Sequence, residues 1–209
     1  MKQKNILVIA YGMGNIKSVC NGLDLLGGSY VVSDDYREFA GADAFILPGV
    51  GAFGAAMDNL KRLHIVEALE TEVREKGKPY LGICLGMQLL AKDSEEIGFH
   101  QGLGWIDGHV VALKPADGLA VPHVGWNDIK IMQKEPLFSR LDDGGNFYFD
   151  HSYHLQCDPS LVMAECDYGG KVVAAIRQDN LLATQFHPEK SQRNGLKLLR
   201  NYLNFIEEY

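Results

Sequence analysis

Apolar residues recur along this chain in two patterns, and the alternation between them predicts the fold. Short continuous runs read as buried strands: Asn5-Ile6-Leu7-Val8-Ile9, Tyr30-Val31-Val32, Ala44-Phe45-Ile46-Leu47 and Tyr80-Leu81-Gly82-Ile83. Between them, helical spacing marks amphipathic helices. One carries Ile16, Val19, Cys20, Leu23 and Leu26 and stops at Gly27-Gly28; a second carries Met57 and Leu60; a third runs from Ile65 through Val73. Met87-Gln88-Leu89-Leu90 reads as the start of another helix. Repeated strand–turn–helix units predict an α/β fold of three layers, with a mixed, mostly parallel central sheet flanked by helices.

The second half changes character. Trp105 through Leu113, Asp128–Ile131, Asn146–Phe149 and Val162–Cys166 read as antiparallel strands. Lys171–Arg177 and Leu181–Phe186, separated by Gln178-Asp179-Asn180, read as a hairpin. A closing helix is expected from Gly195 to Ile206, with Leu196, Leu199, Leu203 and Ile206 on one side. No repeat or linker interrupts the pattern, so residues 1–209 are expected to form one domain.

Composition narrows the function. A net charge of -7 argues against a general nucleic-acid binder, although a small anionic substrate stays compatible with it. The apolar run Ile6–Ile9 near the start is too short for a secretory core or a membrane span, so a cytoplasmic protein is expected. The four cysteines, Cys20, Cys84, Cys157 and Cys166, lack zinc-ribbon spacing and are expected as free thiols. No HExxH pattern or Cys/His cluster is present, so neither a metal nor a cofactor is expected.

The candidate chemistry lies at the ends of two strands. Gly82-Ile83-Cys84-Leu85-Gly86 has the strand–nucleophile–helix form of a nucleophile elbow, where small residues relieve a crowded turn. Gln185-Phe186-His187-Pro188-Glu189 ends a later strand with an imidazole and a carboxylate two residues apart. A thiol, a base and an orienting acid are the parts of a nucleophilic acyl-transfer site. Taken singly, Cys84 also reads as a small buried hydrophobe, and His187 as a surface histidine near a helix start. Of the other histidines, His64 falls among helix residues, His100 and His109 read as solvated, and His123, His151 and His154 read as polar-loop residues near aromatics.

Six segments, in order along the chain, carry a family resemblance: Tyr11-Gly12-Met13-Gly14-Asn15, Pro48-Gly49-Val50-Gly51-Ala52-Phe53, Gly82 through Gln88, Pro122-His123-Val124-Gly125-Trp126-Asn127, His151-Ser152-Tyr153 and Gln185 through Ser191. With them the chain resembles the class I, triad-type glutamine amidotransferases, and within these the glutaminase subunits of imidazole glycerol phosphate synthases. The resemblance implies that Cys84 attacks the side-chain amide of L-glutamine, His187 moves the proton and Glu189 orients His187. It implies oxyanion donors at the Val50–Gly51 loop and at Leu85, and substrate contacts from Gln88, Gly51, Ser152 and Tyr153. It also implies a (β/α)8-barrel cyclase as partner in a heterodimer, receiving ammonia to make imidazole glycerol phosphate and an aminoimidazole carboxamide ribonucleotide. Gly12, Met13, Asn15, Trp126, Asn127, Lys190 and Gln192 are the interface candidates. Trp126, expected in a Gly-Trp-Asn turn, reads equally as a docking anchor or a cap on the chain's own core.

The chain departs from the family pattern at Ala10, where an aspartate is usual, and at Asp150 and His154. Three alternatives stay open on sequence. One is a paralogous amidotransferase supplying ammonia for an amidino-sugar step in surface-polysaccharide synthesis. Another is a cysteine hydrolase or peptidase-like member of the same fold without an ammonia channel. The third is a non-enzymatic binding or regulatory protein that keeps the motifs.

Overall fold

A computed structural model describes residues 4–116, 118–139, 141 and 145–209. Its first half alternates β1 (Asn5–Ile9), α1 (Ile16–Leu26), β2 (Ser29–Ser33), β3 (Ala44–Gly49), α2 (Phe53–Arg62), α3 (Ile65–Leu69), β4 (Tyr80–Cys84) and α4 (Leu85–Gln88). Then come β5 (Ala91–Ser94), β6 (His100–Gln101), β7 (Ile106–Ala112), β8 (His123–Ile131), β9 (Gly145–His151), β10 (Tyr153–Cys157), β11 (Val162–Asp167), β12 (Lys171–Gln178), β13 (Leu181–Thr184) and α5 (Gln192–Glu208). Among the described residues, no helix is long and apolar enough to cross a membrane.

Nine strands form one sheet in the order β2-β1-β3-β4-β13-β12-β11-β8-β9. The first five are parallel to one another, and each step from β13 to β9 is antiparallel, so only β12 and β8 oppose the other seven. Both faces of the inner parallel strands are covered, and β3, β4 and β13 are buried at every position, whereas the edge strand β2 is partly exposed. On β1, Ile6 and Val8 pack with Val19 and Leu23 of α1 and with Leu198 and Tyr202 of α5. Leu7 and Ile9 point the other way, toward Met57 and Leu60 of α2 and Ile65 and Leu69 of α3. The buried Tyr202 hydroxyl donates to the Phe45 carbonyl at 2.8 Å, so this deep polar group is satisfied.

A second sheet, in the order β10-β7-β5-β6, was not foreseen. It takes residues expected to extend a helix behind Cys84. That helix is a single turn, because the backbone carbonyls after it are used across strands. Leu103 donates to Leu89, Ile106 to Leu90, Gly104 to Ala91 and Gly102 to Lys92, at 2.8–3.0 Å. The strand read at Trp105–Leu113 is Ile106–Ala112; it pairs antiparallel with β10 but parallel with β5. The helix read from Ile65 to Val73 widens into a π-helical turn from Glu70 to Glu75. The expected Gly-Trp-Asn turn is instead the interior of β8, paired residue by residue with β9. The hairpin forms where it was read, but β12 runs on through Gln178, the turn is Asp179-Asn180, and β13 stops at Thr184 rather than Phe186.

Candidate active site

β4 ends in the nucleophile elbow. Cys84 has φ 53° and ψ -106°, a backbone state that residues with a side chain rarely adopt. The flanking glycines are required by contact: a Cβ at Gly86 would lie 1.9 Å from the Leu47 carbonyl oxygen, and one at Gly82 would lie 2.5 Å from that of Gly86. The thiol projects into a buried setting, 5% exposed. Its S–H donates to the Asp150 carbonyl at 3.7 Å, and Sγ accepts from Gln185 Nε2, also at 3.7 Å.

β13 lies parallel beside β4, with Thr184 opposite Ile83, so both chains leave the sheet at one edge. His187 follows directly. Its N–H donates to the Tyr148 carbonyl at 2.8 Å, and Ser191 Oγ ties the next turn down by donating to the His187 carbonyl at 2.6 Å. Nδ1 lies 2.8 Å from Glu189 Oε1, both side chains being all but fully buried. A carboxylate only accepts, so Nδ1 carries the proton. Among the described residues, none lies within hydrogen-bonding geometry of Nε2. Burial opposes charge on this ring, but its interactions with the Cys84 sulfur and with Glu189 outweigh it and push its pKa up to about 10.

A cavity of about 330 Å³ opens over Cys84, large enough for an amino-acid-sized ligand. Val50, Gly51, Leu85, Gln88, Ser152 and Tyr153, the substrate residues inferred from sequence, all line it, together with Glu96, Pro122, Asp150 and His151. The Gln88 amide nitrogen donates to the Tyr153 carbonyl at 2.8 Å and to Gln185 Oε1 at 3.1 Å, which uses both its hydrogens and leaves the amide oxygen to act as an acceptor.

Glu96 and Gln185 were missed by sequence reasoning. Glu96 enters from the β5–β6 hairpin and accepts the Phe53 N–H at the start of α2, at 2.6 Å. No local pattern marks that hairpin. Gln185 is fully buried and bridges the sulfur to Gln88. Its place two residues before His187 was the available signal.

The interface candidates divide. Trp126 is 45% exposed, so it does not cap the core. Its ring meets Tyr148 edge-on at 6.1 Å; Lys190 Nζ sits 5.2 Å over the same Tyr148 ring and 3.6 Å from Asp150 Oδ2. Gln192 opens α5 beside Trp126 on one shallow surface. Gly12, Met13 and Asn15 form the turn after β1, where Met13 packs on Gly51; a Cβ there would meet Met13 Cε at 2.6 Å. Asn127 is turned inward, its amide donating to the Asp167 carbonyl at 2.9 Å. His123 and His151, read as loop residues, are opposed in β8 and β9 and buried. His154 lies in β10 rather than a loop.

A cysteine elbow at the edge of a parallel sheet, facing a carboxylate-held imidazole, defines an α/β fold equipped for nucleophilic acyl chemistry. Sequence comparison names the family. The model for "Glutamine amidotransferase class-I" matches residues 7–205, and the chain belongs to that family. It is 49% identical over 203 residues to the imidazole glycerol phosphate synthase subunit HisH of Syntrophotalea carbinolica, covering 94% of this chain and 98% of that one. It is 48% identical to the corresponding HisH protein of Aquifex aeolicus, covering 97% of each. The fold also matches the crystal structure of a glutamine amidotransferase from Thermotoga maritima, with a TM-score of 0.70 at 16% identity, over 100% of both chains.

Proposed function

We propose that the chain is the glutaminase subunit of a cytoplasmic imidazole glycerol phosphate synthase. It hydrolyses L-glutamine to glutamate and hands ammonia to a (β/α)8 cyclase subunit in a heterodimer. The observation that carries this reading is near-full-length identity of 48–49% to two such subunits, in a chain whose cavity centres on Cys84.

In this reading the glutamine α-ammonium faces Glu96 and the Gln88 amide oxygen. Its α-carboxylate faces backbone N–H groups at Gly51, Ser152 and Tyr153. The Cys84 thiol gives its proton to His187 Nε2 as the sulfur attacks the side-chain carbonyl carbon, and the Leu85 and Val50 N–H groups receive the oxyanion. As the C–N bond breaks, the His187 Nε2 proton passes to the departing nitrogen. That gives ammonia, a glutamyl thioester and a neutral imidazole. The imidazole then takes a proton from water, whose oxygen attacks the thioester; glutamate leaves and the imidazolium returns its proton to the sulfur. Glu189 keeps Nδ1 protonated throughout. A pKa of about 10 fits His187 to take the thiol proton and hold it until the departing nitrogen receives it.

In this reading ammonia is released beside Asp150, which contacts both the Cys84 sulfur and Lys190, and the cyclase would seat on the surface that carries the exposed Trp126 and the half-buried Tyr148 and Lys190. The test is co-expression with a histidine-pathway cyclase, followed by assay of glutamate release and of ammonia-dependent imidazole glycerol phosphate formation. A complex that forms and couples the two reactions supports the reading. A cyclase that does not bind, or a complex without glutamate release, rejects it.

A further inference from the structure

The Pro122–Asn127 and His151–Tyr153 segments hold a set of polar contacts that the acyl chemistry does not use. His123 and His151 face each other in the β8–β9 register, with His123 Nδ1 3.0 Å from His151 Nε2. His151 Nδ1 lies 2.9 Å from the Tyr153 carbonyl. His123 Nε2 lies 3.3 Å from the Asn127 amide nitrogen. The His123 ring is stacked between Tyr168 and Phe149, with centroids at 3.8 and 4.6 Å.

Donor and acceptor counting gives this set one direction. The Tyr153 carbonyl can only accept, so His151 Nδ1 carries a proton. A neutral His151 then offers Nε2 as an acceptor, which makes His123 Nδ1 the donor. A neutral His123 accepts at Nε2, and the Asn127 amide, with two hydrogens, donates there as well as to Asp167. Every bond points from β8 toward the cavity. Neutrality follows from the surroundings: burial lowers the pKa of His123 to about 4 and of His151 to about 3. The charged or titratable groups that act on His151 are other histidines, namely His123 on β8, His154 on β10 and His187 beyond β13.

We propose that Asn127, His123 and His151 form a one-way hydrogen-bond chain that fixes the Tyr153 peptide against the cavity, and that the two histidines are positioning residues for glutamine binding. The Tyr153 carbonyl is where this chain meets the Gln88 amide, so it sets the wall on which the substrate rests. The proposal rests on the glutaminase reading for its substrate, and on donor–acceptor geometry with neutral buried rings for its tautomers.

Two experiments test it. Ring-nitrogen NMR of the ¹⁵N-histidine-labelled chain should find both rings in the Nδ1–H tautomer and unprotonated from pH 8 down to about 5. An Nε2–H tautomer at either ring, or titration near 6.5, overturns the chain. With the cyclase bound, His123→Phe keeps the stacked ring but removes the donor; it should raise KM for glutamine about tenfold with kcat within about twofold. His123→Asn returns an amide donor near the Nδ1 position and should restore KM to within about threefold of wild type. If stacking alone mattered, the order would reverse, with Phe near wild type and Asn worse, and the positioning role would fall. A wild-type complex that released no glutamate would remove the glutaminase reading, while the ring spectra would still decide the tautomers.

Discussion

The two halves of the large sheet supply different things to one cavity. The parallel half brings β4 and β13 side by side, buried on both faces, and each leads to a proposed catalytic residue: Cys84 at the end of β4 and His187 three residues beyond β13. The antiparallel half supplies walls. β9 leaves the large sheet at His151 and re-enters the small one as β10 at Tyr153, so the substrate-facing corner is a hand-over between sheets. Reactive groups therefore sit where backbone geometry is most constrained, and binding surfaces where strands change partners. The parallel half should respond to substitution through chemistry and strain, and the antiparallel half through affinity.

The strongest challenge to the parallel half is Gly86→Ala. The added methyl would sit 1.9 Å from the Leu47 carbonyl oxygen, backbone that has no rotamer to yield. A loss of about 3 kcal/mol is expected from urea unfolding, at the upper end for overpacking. A variant as stable as wild type would show that the elbow is less tightly held than described.

Next is Glu189→Gln. The amide can still contact Nδ1 but supplies no charge to hold the imidazolium. A fall in kcat of about 10²-fold with little change in KM is expected in glutamate-release kinetics. An unchanged kcat would leave Glu189 a structural acid only.

The pH dependence of stability should separate the halves. His187 has a pKa raised to about 10 from 6.5, so its stabilising contribution is complete below 6.5 and is lost as pH rises toward 10. His123 and His151 have values lowered from 6.5 to about 4 and about 3. Below 6.5 the unfolded chain gains protons that the folded chain refuses, so stability falls as pH drops from 6.5 toward those values. Thermal melts across pH should therefore lose stability at both ends. His123→Phe should flatten only the acid side and Cys84→Ala only the alkaline side. An acid limb untouched by His123→Phe would contradict the burial account of that ring.

The smallest expected effect is Trp126→Ala. Its 45% exposure and edge-on contact with Tyr148 imply a stability change within about 0.5 kcal/mol, while affinity for the cyclase should drop by tenfold or more. Titration calorimetry against the cyclase would tell the two apart.

The same contrast explains what the sequence made legible. Buried parallel strands announce themselves as unbroken apolar runs, and β1, β3 and β4 were readable within a residue or two at each end. The elbow was readable from the spacing of its two glycines around Cys84, although only Gly82 answers a contact within the motif and Gly86 answers one with Leu47 of β3. Glu96, by contrast, reaches the cavity only because β5 pairs parallel with β7, a register that no local pattern encodes. His123 and His151 looked like loop residues because polar, glycine-containing stretches resemble turns. Their burial comes from cross-strand pairing and from stacking on Tyr168, which lies more than forty residues away from His123 in the chain. The one-turn α4 was misread for a similar reason, since its continuing apolar residues serve a second sheet.

The most direct measurement is covalent labelling of the cyclase-bound chain with an electrophilic glutamine analogue, located by mass spectrometry. The account predicts one adduct, on Cys84, formed at a rate that free glutamine suppresses, with Cys20, Cys157 and Cys166 unmodified. Labelling at another cysteine, or labelling of Cys84 that glutamine does not slow, would contradict a glutaminase centred on the elbow.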